Sequence, residues 1–208
     1  MHQVDGRARK KYRWIFVDKE INIRIVDSVK IVENVLTKNI VDHIKLLVKN
    51  LDFIIASDVH LLGINRSGLG VFEGDHILQG MSRNTLDNRN INDNNRVLYT
   101  RLNDMGIIIT ELVCKRLDIK YKRIDRLMWN FYKPGEKGIE HIDVMKEGGD
   151  FISILYSLNT SDGYIKIKNK KIYDVEDEAK VFNSRVPHQG MGPKKTNHRL
   201  NLNIVVET

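Results

Sequence analysis

The stretch Glu140-His141-Ile142-Asp143-Val144 sets an imidazole and a carboxylate two positions apart among apolar neighbours. The segment reads as a strand. In a strand, residues i and i+2 point to the same face, so His141 and Asp143 can offer two ligand atoms to one metal ion. Such a pair also arises by chance where a strand edge meets water, and a third donor is needed. His188 supplies it, in the polar turn Pro187-His188-Gln189-Gly190 that follows the apolar run 179–183. Two histidines and one carboxylate with other positions left open form the facial donor set of non-haem Fe(II) sites. The open face of such a site holds a bidentate co-substrate and then O2.

If that co-substrate is 2-oxoglutarate, its far carboxylate needs a cation at the other end of the pocket. Arginine suits this, because its planar fork pairs with both oxygens. Arg199 heads the last apolar segment, Arg-Leu-Asn-Leu-Asn-Ile-Val-Val (199–206). Alternation puts Arg199, Asn201 and Asn203 on one face and Leu200, Leu202 and Ile204 on the other. A polar face on an otherwise apolar strand is either solvated or built around a bound polar molecule. The agreement of four residues favours the second reading.

These residues need a frame. The chain has 208 residues, which suits one domain. Hydrophobic residues make up 41% and charged residues 29%, the composition of a globular protein with a real core. No run approaches the roughly 20 apolar residues of a membrane span, and no apolar stretch follows the N-terminus as in a secretion signal. One cysteine, Cys114, excludes an internal disulfide framework and suits a reducing, cytoplasmic setting. The net charge is +7, but residues 1–13 alone carry +4, which reads as a flexible basic tail.

Residues 14–122 read as strands and supporting helices. Strands are expected at 13–17, 21–26 and 29–34. A helix is expected over 38–50, capped by Thr37, with Ile40, Ile44, Leu47 and Val48 as its apolar face and His43 at the surface. The Asn- and Asp-rich stretch 82–95 reads as a loop that could contact substrate. A longer helix follows, about 95–117, with Val97, Leu98, Leu102, Met105, Ile109, Leu112, Val113 and Leu117 at helical spacing and Cys114 packed among them. Residues 123–208 change character. Short strands at 125–132, 151–159, 164–168, 179–183 and 199–207 alternate with Gly- and Asp-rich turns. The fold class is therefore α+β, mainly β: a jelly roll with supporting N-terminal helices.

The segment Asn130-Phe-Tyr-Lys-Pro-Gly-Glu-Lys-Gly-Ile-Glu-His-Ile-Asp143 resembles the approach to the iron site in 2-oxoglutarate- and Fe(II)-dependent dioxygenases. The likeness continues through 151–159, similar to the strand ending in Tyr-Leu-Asn of prolyl hydroxylases, and through Ser161–Ile167. It closes on 181–205, with the distal histidine and the arginine. Residues 29–47 also resemble the opening of prolyl-4-hydroxylase-like members, while 51–122 has no counterpart. The resemblance implies a double-stranded β-helix and release of succinate and CO2. It implies Fe(II) on His141, Asp143 and His188, with 2-oxoglutarate, O2 and, as in some members, ascorbate as partners in the reaction. Arg199 would pair with the far carboxylate and Tyr132 would donate to it. Asn130 and Asn203 are further candidates for that pocket, as are Tyr156 and Ser157. A carboxylate at 143 favours hydroxylation over halogenation.

Two substrate readings follow from the resemblance. One is a peptide, amino-acid side chain or other small molecule. The other is nucleic acid, as in AlkB-like demethylases, whose Asn-x-Tyr-x-Pro-Gly and Arg-x-Asn patterns are also echoed here. That family carries a second arginine where this chain has Val205, and an aromatic platform is not evident around Trp14 or Trp129. A third reading is a jelly-roll binding module that keeps the iron residues without turnover. The sequence does not fix an oligomeric state.

Overall fold

A computed structural model describes residues 22–49, 54–55, 76–78, 93–138, 140–145 and 147–208. The expected strand at 13–17 and most of the loop 82–95 lie outside these residues. Two helices, α1 (Lys38–Val48) and α2 (Asp93–Arg116), accompany eleven strands among the described residues. The strands are β1 (Ile23–Val26), β2 (Val29–Val32), β3 (Ile54–Ile55), β4 (His76–Leu78), β5 (Arg123–Tyr132), β6 (Phe151–Ser157), β7 (Ser161–Ile167), β8 (Lys170–Asp174), β9 (Glu178–Asn183), β10 (His188–Met191) and β11 (Arg199–Glu207). Their pairings are antiparallel. An eight-stranded sheet runs β1-β2-β9-β6-β11-β5-β4-β3, and a three-stranded sheet runs β10-β7-β8. The expected mainly β, two-sheet architecture is what forms.

Two apolar layers follow from strand alternation. Leu127 and Trp129 of β5, Ile154 and Tyr156 of β6, Val181 of β9, and Leu200, Leu202 and Ile204 of β11 face the helices. There they meet Val41, Ile44, Leu47 and Val48 of α1 and Leu102, Ile109, Val113 and Cys114 of α2. The opposite face of the large sheet meets the small sheet through Ile31, Leu155, Phe182, Ile165, Ile167 and Ile172. The space between the sheets is filled by this cluster at one side and by polar groups at the other.

Three local expectations are corrected. The buried face of α1 uses Val41, not Ile40, which stays 37% exposed. Positions 40 and 41 both lie about one helical turn before Ile44 on its side of the helix, and packing in the first turn covers Val41 and leaves Ile40 at the edge. Thr37 is the N-cap, but its side chain makes no capping bond; its carbonyl accepts from Ile40 and Val41. Helix α2 begins at Asp93, so the last three residues of the expected loop are helical. Leu102, Ile109, Val113 and Cys114 are buried as expected, with Met105 and Leu112 packed beside them, and His43 is exposed as expected.

The turn before β11 is held by one carboxylate. Asp162 accepts from the backbone N–H groups of Lys194, Lys195 and Thr196 at 3.0, 2.9 and 2.8 Å, and from the Thr196 hydroxyl. The Thr196 amide leads these donors in holding the Asp162 carboxyl below the usual range, against the opposing effect of desolvation. A depressed folded pKa contributes stability above the ordinary carboxylate range and loses it as the pH falls through the folded value.

Chemical denaturation tests the corrected helix face. Ile44→Ala is expected to cost about 2–5 kcal/mol, and Ile40→Ala within about 0.5 kcal/mol. Equal losses would mean that α1 is rotated. Asp162→Ala is expected to loosen residues 194–196, seen as faster amide hydrogen exchange there at neutral pH. That difference from the parent should shrink on acidification, as the parent carboxylate is protonated.

Candidate metal and anion site

The strand expected at 140–144 is not a regular strand. His141 makes an isolated bridge to His188: His141 N–H donates to the His188 carbonyl and His188 N–H to that of His141, each at 2.9 Å. His188 opens β10 rather than sitting in a turn. Asp143 N–H donates to the Ser184 carbonyl at 2.9 Å, which fixes the backbone beyond the histidine. The i, i+2 geometry therefore survives without a full strand, because the bridge to β10 and the tie to Ser184 replace a ladder.

The three side chains converge. One donor atom from each of His141, Asp143 and His188 lies within 4.8 Å of the others. His141 Nε2 is 3.7 Å from Asp143 Oδ1, and His188 Nε2 is 3.6 Å from Asp143 Oδ2. His188 Nδ1 lies 2.9 Å from the Val186 carbonyl, an acceptor that places the proton on Nδ1 and leaves Nε2 as a lone-pair donor. Burial leads the downward push on the His188 pKa, against the upward pull of Asp143. This favours the neutral ring that a metal requires.

Asp143 is wholly buried and heavily supported. Arg126 donates to its Oδ1, as does Asn203 Nδ2 at 3.2 Å, and the Ser153 hydroxyl donates to Oδ2. Burial opposes ionisation, but the Arg126 guanidinium leads the groups that outweigh it and hold the carboxyl well below its usual range. It is thus an anion in place, oriented by three donors.

His141 and His188 of this cluster open on a pocket between the two sheets. Its walls include Asn130, Tyr132, Arg199, Asn201 and Asn203. The polar face of β11 is buried: Arg199 is 1%, Asn201 0% and Asn203 6% exposed. Register explains the assembly, since Arg199 pairs with Tyr132, Asn201 with Asn130 and Asn203 with Met128. Asn130 Nδ2 donates to Asn201 Oδ1 at 3.1 Å. Asn201 Nδ2 and Asn203 Oδ1 are buried with no hydrogen-bond partner. Buried polar atoms left unmade are costly, and these two border a cavity that a polar ligand could fill.

Arg199 sits at the end of this wall. Its Nε donates to Asp174 Oδ2 at 2.7 Å, and its guanidinium carbon lies 4.9 Å from the Tyr132 ring centre. Two glycines make room. A Cβ on Gly163 would come within 2.7 Å of Arg199 Cδ, and one on Gly190 within 2.2 Å of the Tyr132 hydroxyl. Both glycines serve close approach of side chains rather than unusual backbone angles.

The residues that the sequence nominates for the site, His141, Asp143, His188, Arg199, Tyr132, Asn130 and Asn203, all meet here. Tyr156 does not: its ring packs against the helix layer and its hydroxyl donates to Asp177 Oδ1 at 2.9 Å. Ser157 faces the sheet interior and accepts from Lys180 Nζ at 2.8 Å. Sequence reasoning missed Arg126, Ser153, Asp174 and Lys180. Alternation could have found Arg126, in phase with Met128, Asn130 and Tyr132, and Lys180, in phase with Phe182. Val205, where a nucleic-acid demethylase pattern would place a second arginine, packs with Val144 and Phe151.

No protein-family model and no curated protein sequence matches the chain. Solved structures do. A 2OG-Fe(II) oxygenase family oxidoreductase from Burkholderia pseudomallei is 10% identical, with 86% of this chain and 84% of that chain covered and a TM-score of 0.58. A viral collagen prolyl hydroxylase from Paramecium Bursaria Chlorella virus-1, in its 2OG complex, is 12% identical over 87% and 96%, TM-score 0.54. A prolyl hydroxylase from Trichoplax adhaerens, in complex with a hypoxia inducible factor peptide fragment, is 18% identical over 88% and 84%, TM-score 0.53. The chain therefore has the double-stranded β-helix fold found in 2-oxoglutarate–Fe(II) oxygenases.

Proposed function

We propose that this chain is a 2-oxoglutarate- and Fe(II)-dependent dioxygenase that hydroxylates a peptide or amino-acid side chain, as prolyl hydroxylases do. One observation carries the reading: His141 and His188, which converge with Asp143, line the same pocket as Arg199. The fold likeness to prolyl hydroxylases supports the peptide-like substrate class. The apolar surroundings of Val205 weigh against a nucleic-acid substrate.

The donor set fits iron. Nitrogen, nitrogen and carboxylate oxygen suit Fe(II), and the cluster holds no thiolate to select a softer ion. His141 and His188 would bind through imidazole nitrogens and Asp143 through a carboxylate oxygen. Bound iron supplies the redox chemistry with O2 and 2-oxoglutarate that no side chain here can provide. The chain does the rest. Val186 holds the His188 tautomer, and Arg126, Ser153 and Asn203 hold Asp143. Arg199 would pair with the distal carboxylate, beside the Tyr132 ring. Asn201 Nδ2 and Asn203 Oδ1 would gain the partners they lack.

Charge favours the same ligand. Facing the space between the sheets are three buried cations, Arg126, Lys180 and Arg199, and three buried carboxylates, Asp143, Asp174 and Glu178; Glu178 is paired with the exposed Arg24, and with that pair set aside and the histidines neutral one positive charge is in surplus. A divalent metal raises the surplus, and a dicarboxylate offsets it.

Anaerobic addition of Fe(II) and 2-oxoglutarate to the metal-free protein is expected to give the weak visible charge-transfer band of the chelated co-substrate. The band should vanish in His141→Ala and Asp143→Ala and weaken in Arg199→Ala. Admission of O2 should then release succinate. Metal binding with no band and no succinate would leave a binding module instead.

Arg126→Met tests the support of Asp143. Removing one partner of a buried ion pair typically costs about 3–5 kcal/mol, so the metal-free variant should melt earlier than the parent. A divalent metal replaces the lost positive charge, so Fe(II) should raise the variant's melting temperature by more than it raises the parent's. An equal shift in both would mean that Arg126 does not act on the metal carboxylate.

A further inference from the structure

Behind Arg199 lies a second buried cation. Lys180, on strand β9, is 0% exposed. Lysine is almost never fully buried without a partner. Here Nζ donates to Ser157 Oγ at 2.8 Å and lies 3.0 Å from Asp174 Oδ1. The lysine contact is one of charge: Asp174 Oδ1 has no aligned hydrogen bond, while Oδ2 accepts from Arg199 Nε. Asp174 is itself 0% exposed. One buried carboxylate therefore lies between two buried cations.

That arrangement poses a question of charge. An arginine placed to attract a ligand carboxylate gains little if its own partner is a buried aspartate. The Arg199–Asp174 pair is neutral overall, and Asp174 would repel the incoming anion at short range. Low dielectric strengthens both effects. Lys180 is not among the residues that line the cavity, so it does not itself meet the ligand. Its charge nevertheless reaches Asp174 directly.

We propose that Lys180 is a positioning and charge-balancing residue of the anion site: it neutralises Asp174, so that Asp174 can orient the Arg199 guanidinium without cancelling its charge. Three roles are thus separated. Arg199 meets the carboxylate, Asp174 aims Arg199, and Lys180 removes the electrostatic penalty of the aiming group. Ser157 fixes Lys180, and Gly163 leaves the space in which Arg199 lies. Position 180 pairs with Leu155 on one side and Ile31 on the other, so a lysine there has no strand-level reason to exist. This inference rests on the reading of Arg199 as the cation for 2-oxoglutarate.

The test is calorimetric binding of 2-oxoglutarate to anaerobic Fe(II)-loaded protein, with Fe(II) affinity measured separately. Lys180→Gln keeps a polar group beside Ser157 but removes the charge. It is expected to weaken 2-oxoglutarate binding about 10- to 100-fold, with Fe(II) affinity unchanged. The double variant Asp174→Asn/Lys180→Gln removes one charge of each sign and leaves the net charge around Arg199 as in the parent. It is expected to bind within about threefold of the parent, because charge balance is restored.

A purely structural role predicts no such recovery. If the double variant binds no better than Lys180→Gln, or if Lys180→Gln binds as the parent does, the proposal is overturned. If Lys180→Gln does not fold, the double variant against the parent decides alone: parent-like binding supports the charge balance, and loss of binding sinks it. Failure of the underlying reading looks different. In that case the parent itself does not bind 2-oxoglutarate, or Arg199→Ala binds it as tightly, and this proposal falls with it.

Discussion

The structure depends on the two faces of strand β11. It pairs with β5 on one side and β6 on the other, so it lies inside the sheet, and both of its faces are covered. Leu200, Leu202 and Ile204 lock one face into the helix-covered core. Arg199, Asn201 and Asn203 are then forced into the space between the sheets. A slip of one residue would exchange the two sets, burying a guanidinium among leucines and emptying the pocket of its polar wall. The apolar face thus fixes the register, and the register fixes the site.

Once that register is set, the interior must accommodate charge. Two ion clusters share the space. Asp143 carries Arg126 at the end where His141 and His188 lie, and Asp174 carries Arg199 and Lys180 at the other. Each carboxylate is fully buried and each is held ionised by cations that outweigh the cost of burial. Buried ion pairs are poor sources of stability compared with apolar packing. Their presence in a molecule with ample apolar core, on strands that otherwise alternate cleanly, is better explained by a ligand than by folding.

Much of this was legible in the sequence, and the reasons are specific. Alternation over 199–204 is strict, so the buried polar face of β11 could be read directly. His141, Asp143 and His188 were legible from residue type and order, although the segment holding the first two is not a regular strand. The bridge between His141 and His188 is a long-range backbone contact, and no local pattern announces it. The face of α1 was misread by one position because Ile40 and Val41 are both apolar and only packing chooses between them. Arg126, Lys180 and Asp174 were missed because a charged residue on a strand reads as solvent-facing. Only the small sheet, closing over the large one, makes these positions interior.

The same physics explains how a fold can persist where sequence likeness has nearly vanished. The core asks only for apolar side chains at alternate positions of β5, β6, β9 and β11, and many residues of suitable volume satisfy that. The helix layer asks for one apolar stripe on each of α1 and α2. Few positions are constrained by the proposed chemistry: the three candidate metal donors, one guanidinium, and glycines 163 and 190 where side chains approach the backbone. Such a specification leaves most residues free to drift, which accords with identities of 10–18% alongside coverage of more than four fifths of the chain. It also leaves the electrostatic support of the site free to be rebuilt, provided that the charge presented to the ligand is kept. Under the proposed charge balance, the lysine on β9 belongs to that support, in which the sign and place of the net charge matter more than the residue that supplies it.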